Sequence, residues 1–143
     1  MPTGGSEVAE LLVDTSVAVA LVVTDHEHHA QTSRVVGSRR LGLAGHAAFE
    51  TFSVLTRLPP PARRTPGAVA RLLAGNFPHS RFLSADAAAA LLGDLDLKRI
   101  SGGSVYDALV GAVAAEHGSV LATRDRRALD TYRALDVGVE FVG

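Results

Sequence analysis

The sequence predicts an α/β domain built on a parallel, doubly wound sheet covered by helices on both faces, and three observations carry that prediction. Short apolar runs that read as buried strands, ELLVD at 10–14, LGLAG at 41–45 and SVLAT at 119–123, alternate with longer segments of helical periodicity. The run VYDALVGAVAA at 105–115 is apolar around the whole helical wheel, which predicts a helix buried in the middle of a domain. That helix is followed by Gly118, suited to a left-handed C-terminal position, then by SVLAT and Asp125. Helix, glycine, strand and acid form half of a parallel α/β unit, and sites in such sheets form beyond the carboxyl ends of the strands.

The totals set the frame. With 143 residues, one domain over 1–143 with a real core is expected. A composition 47% hydrophobic and 20% charged excludes the disordered class. The net charge of −1 gives no global field for nucleic acid, so any such binding must be local. There is no cysteine, which removes disulfides, thiolate metal sites and cysteine nucleophiles together. The opening MPTGGSEVAE lacks a basic leader and reads as a loose lead-in over 1–9. Leu11 to Val23 is interrupted by Asp14 and too short to span a bilayer, so no membrane association and a cytoplasmic location are expected.

In chain order, ELLVD is the first strand and TSVAVALVV the first helix, with Asp14 between them as a helix cap, a site acid, or both. DHEHH at 25–29 suggests a metal tract, but no third strong ligand has fixed spacing to His26 and His29. His26, His28 and His29 are read as an exposed helix start. HAAFETFSVLTRL has an apolar face of Ala48, Phe52, Leu55 and Leu58 and a polar stripe of His46, Glu50, Ser53 and Arg57. LPPPARRTP breaks that helix, GAVARLLAGNF forms another, SRFLS at 80–84 is expected as a third strand, and ADAAAALLGDLDLK as a helix with Asp86 at its start. Gly102 and Gly103 precede the buried helix and would let a phosphate backbone come close, though they match no nucleotide fingerprint. RRALDTYRALD is amphipathic and VGVEFV closes the chain as an edge strand.

Asp14 after the first strand, Glu50 in a helix, Asp107 in the first turn of the buried helix and Asp125 after a late strand form a constellation of oxygen ligands. Four carboxylates at one strand end cannot all stay ionised without a cation, and oxygen-only ligands suit Mg²⁺, with Mn²⁺ as a substitute. The chemistry implied is metal-dependent phosphodiester hydrolysis.

The motifs LLVDTSV with Asp14, AFETFSVLTRL with Glu50, SVYDALVGAVA with Asp107 and LATRD with Asp125, in this order and spacing, resemble the PIN-domain ribonucleases, and among them the VapC-type toxins of bacterial toxin–antitoxin pairs. The resemblance covers Glu10 to Val142. It implies a three-layer α/β sandwich around a parallel sheet. It also implies an endoribonuclease cutting structured RNA such as transfer or ribosomal RNA, a homodimer, and a small VapB-type antitoxin as partner. It maps the metal-binding, catalytic acids onto Asp14, Glu50, Asp107 and Asp125, and supporting hydroxyls onto Ser16 and Thr123. Arg57 and Arg124 are the expected RNA contacts.

Two other readings compete. A PIN nuclease of RNA processing, without an antitoxin, uses the same site. A non-catalytic, Mg²⁺-binding α/β module such as a receiver domain wants adjacent acids after the first strand and a late lysine, whereas the only lysine here is Lys98, before the buried helix. Asp14 is followed by Thr15 and Ser16, which disfavours a D-x-D phosphatase.

Overall fold

Four short apolar segments pair into one parallel sheet in the computed structural model, which describes residues 10–143. The lead-in expected over 1–9 lies outside the described residues. The strands are β1 (Glu10–Val13), β2 (Arg40–Leu43), β3 (Leu121–Thr123) and β4 (Val139–Phe141), in the order β2-β1-β3-β4. The helices are α1 (Thr15–Val22), α2 (His29–Val36), α3 (His46–Thr56), α4 (Pro66–Asn76), α5 (Ala85–Asp94), α6 (Ser104–His117) and α7 (Leu129–Ala134), with a 3-10 turn at Arg126–Ala128.

The period-two geometry of a strand divides the core. On one face Leu11, Val13 and Ala122 pack with Val17, Val36, Leu55 and Val69 from α1 to α4. On the other, Leu12 and Leu121, paired in register, pack with Val110, Val113 and Ala114 of α6 and with Tyr132 of α7. Helices therefore cover both faces, as the alternation of elements predicts.

Two expectations are corrected. SRFLS does not form a third strand; only Arg81 bridges to Ala44. His79 and Arg81 do donate backbone hydrogen bonds to Leu41 and Leu43. The next ladder position is taken by a side chain, because Leu43 N–H donates to Ser80 Oγ at 2.9 Å, and a hydroxyl that captures a backbone donor ends regular pairing. The segment still lies hard against β2: a Cβ on Gly42 would sit 2.1 Å from the His79 carbonyl oxygen, so glycine is required by contact.

The second correction concerns α6, which is not buried all round. Its sheet-facing side is buried, but Tyr106 is 55% exposed and α5 covers only part of the outer surface. The apolar wheel arises from alanines on that outer side, not from full burial. Asp86 lies in the first turn of α5, at its start as expected, and the N-cap is Ser84, whose hydroxyl accepts from Ala87 N–H.

Gly118 does end α6 in the left-handed conformation, with φ of +61°. At the far edge, Arg39 next to β2 reaches β4, where it donates twice to Glu140 at 2.7 Å and holds that carboxyl below its ordinary range. Among the described residues no helix is long and apolar enough to cross a membrane.

Candidate active site

The strand order creates the site. β1 has β2 on one side and β3 on the other, so the chain leaves these strands in opposite directions and a crevice opens beyond their carboxyl ends. Asp14 follows β1 and Asp125 follows β3 by two residues. The two strand ends are tied together, since Asp14 N–H donates to Ala122 O at 3.2 Å and Arg124 N–H donates to Ser16 Oγ at 2.8 Å.

Asp14 is 6% exposed and saturated with donors. Its Oδ1 accepts from Ser16 Oγ at 2.6 Å and from Val17 N–H at 3.3 Å, and its Oδ2 accepts from the Tyr132 hydroxyl at 2.9 Å. It is thus both the cap of α1 and a member of the acidic group, because the cap is a single bond to Oδ1 and the carboxylate still lines the pocket. Burial pushes its carboxyl above the ordinary range, while hydrogen bonds from Ser16, Thr123 and Tyr132 act in the opposite sense.

α6 brings in Asp107 from its first turn and α3 brings in Glu50, whose Oε1 accepts from Thr15 Oγ1 at 2.5 Å. Asp125 caps the 3-10 turn by accepting from Arg127 N–H at 2.9 Å, and Thr123 Oγ1 accepts from Asp125 N–H at 3.0 Å. All four acids line one open pocket of about 120 Å³, together with Thr15, Ser16, Tyr106, Val110 and Tyr132.

The electrostatics show that these acids act on one another. Asp107 is pushed up to about 6, first by burial and then by the charges of Asp125, Asp14 and Glu50, with Arg127 acting against them. A group of hard carboxylate oxygens whose charges converge on Asp107 is also one that a divalent cation would stabilise, so the donor set fits a metal of the Mg²⁺ type. Among the described residues no three His, Cys, Asp or Glu side chains close into a preformed cage. The fit therefore rests on donor chemistry and shared charge.

Ser16 is bonded to Asp14, and Thr123 to the Asp125 backbone. Arg57 and Arg124 do not line the pocket. Arg57 is exposed at the end of α3 and its Nη1 donates to Ser53 Oγ at 3.1 Å. The Arg124 guanidinium turns to α2, where Nη1 donates to Gln31 Oε1 and to Thr32 Oγ1, each at 2.9 Å. The histidines are elsewhere: His28 pairs with Glu27, and His29 Nδ1 bonds the Ala20 carbonyl at the start of α2.

Sequence reasoning missed Tyr132, Thr15 and Tyr106. Tyr132 falls in an amphipathic segment where an aromatic reads as core, which it is, at 1% exposure. Nothing local marks its hydroxyl as a partner of a residue 118 positions away. Thr15 could be found only as a helix-start hydroxyl beside Asp14.

Acids gathered at adjacent ends of a parallel sheet define a nuclease-type α/β domain, and the chain belongs to the PIN domain family, whose model matches residues 11–134. PIN-domain ribonucleases generally depend on a divalent metal. Ribonuclease VapC27 of Mycobacterium tuberculosis is 48% identical over 129 residues, covering 90% of this chain and 94% of that protein. Two solved structures share the fold. VapBC from Salmonella typhimurium bound to DNA superposes with a TM-score of 0.67 at 17% identity, covering 94% of this chain and 99% of that one. VapC20 of Mycobacterium tuberculosis, a toxin that cleaves the sarcin–ricin loop, does so with a TM-score of 0.65 at 23% identity, covering 83% and 92%.

Proposed function

We propose that the protein is a Mg²⁺-dependent endoribonuclease, the toxin of a toxin–antitoxin pair, which hydrolyses phosphodiester bonds in structured RNA and so inhibits translation. The observation that carries this reading is the single pocket lined by Asp14, Glu50, Asp107 and Asp125, in which the other three charges raise the proton affinity of Asp107. Asp14, Asp107, Asp125 and Glu50 would hold the metal. When bound, such an ion lowers the pKa of a coordinated water and offsets charge that builds on a phosphodiester.

The chain's own residues orient those acids. Ser16 and Tyr132 fix the two oxygens of Asp14, Thr15 aims Glu50, and Thr123 holds the backbone of Asp125. The four carboxylates would repel an RNA phosphate unless their charge were neutralised, which a cation held by them would do. Arg57, exposed near the Glu50 helix, is the better placed of the two arginines to meet a phosphate. Arg124 contributes by binding the β3 end to α2.

The toxin reading is supported by the 48% identity to a VapC ribonuclease over nearly the whole of both chains and by the likeness in fold to a VapBC assembly. It brings with it a small VapB-type antitoxin as partner, a homodimer and a cytoplasmic location, within a single PIN-like domain. A PIN nuclease of RNA processing would use the same acids without the antitoxin. The test is cleavage of total cellular RNA by the purified protein in Mg²⁺, in Mn²⁺ and in chelator, beside Asp14→Ala. A discrete metal-dependent product, absent in the variant, is expected; equal cleavage by Asp14→Ala would overturn the site.

A further inference from the structure

Next to the acids, the pocket wall carries an aromatic surface that the hydrolytic chemistry does not use. Tyr106, 55% exposed, lines the same pocket as the four carboxylates. Its ring lies against the imidazole of His46, with centroids 5.0 Å apart and planes 25° from parallel. The two rings come from the two helices that supply acids: Tyr106 precedes Asp107 on α6, and His46 lies one turn before Glu50 on α3. A tyrosine of this size left open beside a polar pocket forgoes burial that the adjacent core could give it, since Val110 of the same helix is buried one turn on.

We infer that the stacked Tyr106–His46 pair is a platform for an unpaired nucleobase of the RNA next to the scissile phosphate. The inference rests on the nuclease reading and names how its substrate is gripped. The acids make the neighbourhood repulsive to a phosphodiester backbone, and the whole chain has a net charge of −1, so electrostatic attraction supplies little of the affinity. Stacking on an aromatic face does not depend on charge, is open to every base, and is the usual way proteins hold single-stranded RNA. A base is joined through one sugar to its phosphate, so a flat ring beside the metal-binding acids is where it would fall. His46 holds the Tyr106 ring from one side and adds a polar edge beside it. The platform requires the base to be splayed out of a helix, and so selects loops and unpaired ends over duplex.

The experiment uses the full chain and two single-stranded RNA probes of about ten nucleotides, one carrying 2-aminopurine and one with an abasic site at the same position. Ca²⁺ replaces Mg²⁺ for binding, and cleavage is read separately in Mg²⁺. Tyr106→Ala is expected to weaken binding of the base-containing RNA about tenfold or more and to remove the quenching of 2-aminopurine. Tyr106→Phe keeps both, and the abasic RNA binds wild type and Tyr106→Ala alike. Thermal unfolding establishes that the exposed-site variants are folded. Unchanged affinity and quenching in Tyr106→Ala, with wild type cutting RNA, would overturn the platform alone. Unchanged RNA binding with loss of a protein assembly in sedimentation would assign the rings to a protein contact and overturn it too. A wild type that neither binds nor cuts RNA would remove the nuclease reading and the platform with it.

Discussion

The Tyr132 hydroxyl donates to Asp14 Oδ2 at 2.9 Å, joining the last helix to the end of the first strand across 118 residues. Both groups are buried, at 1% and 6% exposure, and burial, then the carboxylate beside it, raises the tyrosine's own pKa, so the phenol stays a donor. Tyr132→Phe keeps the ring that fills the core but leaves one oxygen of a buried carboxylate short of its partner. It is expected to lower stability by about 1–3 kcal/mol, measured by denaturant unfolding in chelator. An unchanged midpoint would show that solvent replaces the hydroxyl.

Removing an acid should separate function from folding. Asp107→Asn is expected to abolish RNA cleavage while raising the stability of the metal-free protein at neutral pH, since it deletes a charge that burial and three neighbouring carboxylates oppose. Cleavage assays and thermal melts in chelator check the two halves. Wild-type cleavage rates in the variant would remove Asp107 from the site.

The same charge cluster sets a pH dependence for the metal-free protein. Asp107 titrates at about 6 in the fold against an ordinary value of 3.8, so the folded state binds more protons between those values. Its contribution to stability therefore falls as pH rises through that window and is regained on acidification. Glu140 runs the other way: its carboxyl is held low by Arg39, so the stability it adds is present above the ordinary glutamate range and is lost as pH falls through the depressed value. Melting curves of wild type, Asp107→Asn and Glu140→Gln across the acidic to neutral range should show each slope diminish in its own variant.

Gly42 is expected to tolerate no side chain. An alanine Cβ would meet the His79 carbonyl at 2.1 Å, and backbone on both sides must move to relieve it. Gly42→Ala should cost several kcal/mol, roughly the range of severe overpacking, and release the segment at 79–81 from β2. Denaturant unfolding and hydrogen exchange at the His79, Arg81 and Leu43 amides check it.

Thr51 offers a gain. It is fully buried on α3, and its hydroxyl has no hydrogen-bond partner among the described residues. Thr51→Val keeps the shape and removes the polar atom, so stability should hold or rise by about 1 kcal/mol. A fall in the unfolding midpoint would reveal a partner for that hydroxyl.

How much the sequence determined can be read from particular residues. Strands β1, β3 and β4 were legible because each is a short apolar run bounded by turn residues, and α1, α3 and α6 because their periodicity is local. Asp14 and Asp125 were legible because they follow strands directly, and Asp107 because a carboxylate in an apolar helix demands a partner. SRFLS misled because a strand also needs backbone partners, and Ser80 takes one of them through its side chain. Arg124 read as an RNA contact, yet its direction depends on Gln31 and Thr32, brought beside it only by folding. The sequence alone determined the alternation of elements and the identity of the acids, since these are properties of neighbours in the chain. Only the tertiary structure decided that the acids share one pocket, that Tyr132 fixes Asp14 and that Tyr106 stands open over the site. Those depend on the strand order β2-β1-β3-β4, which is set by packing between residues far apart in sequence.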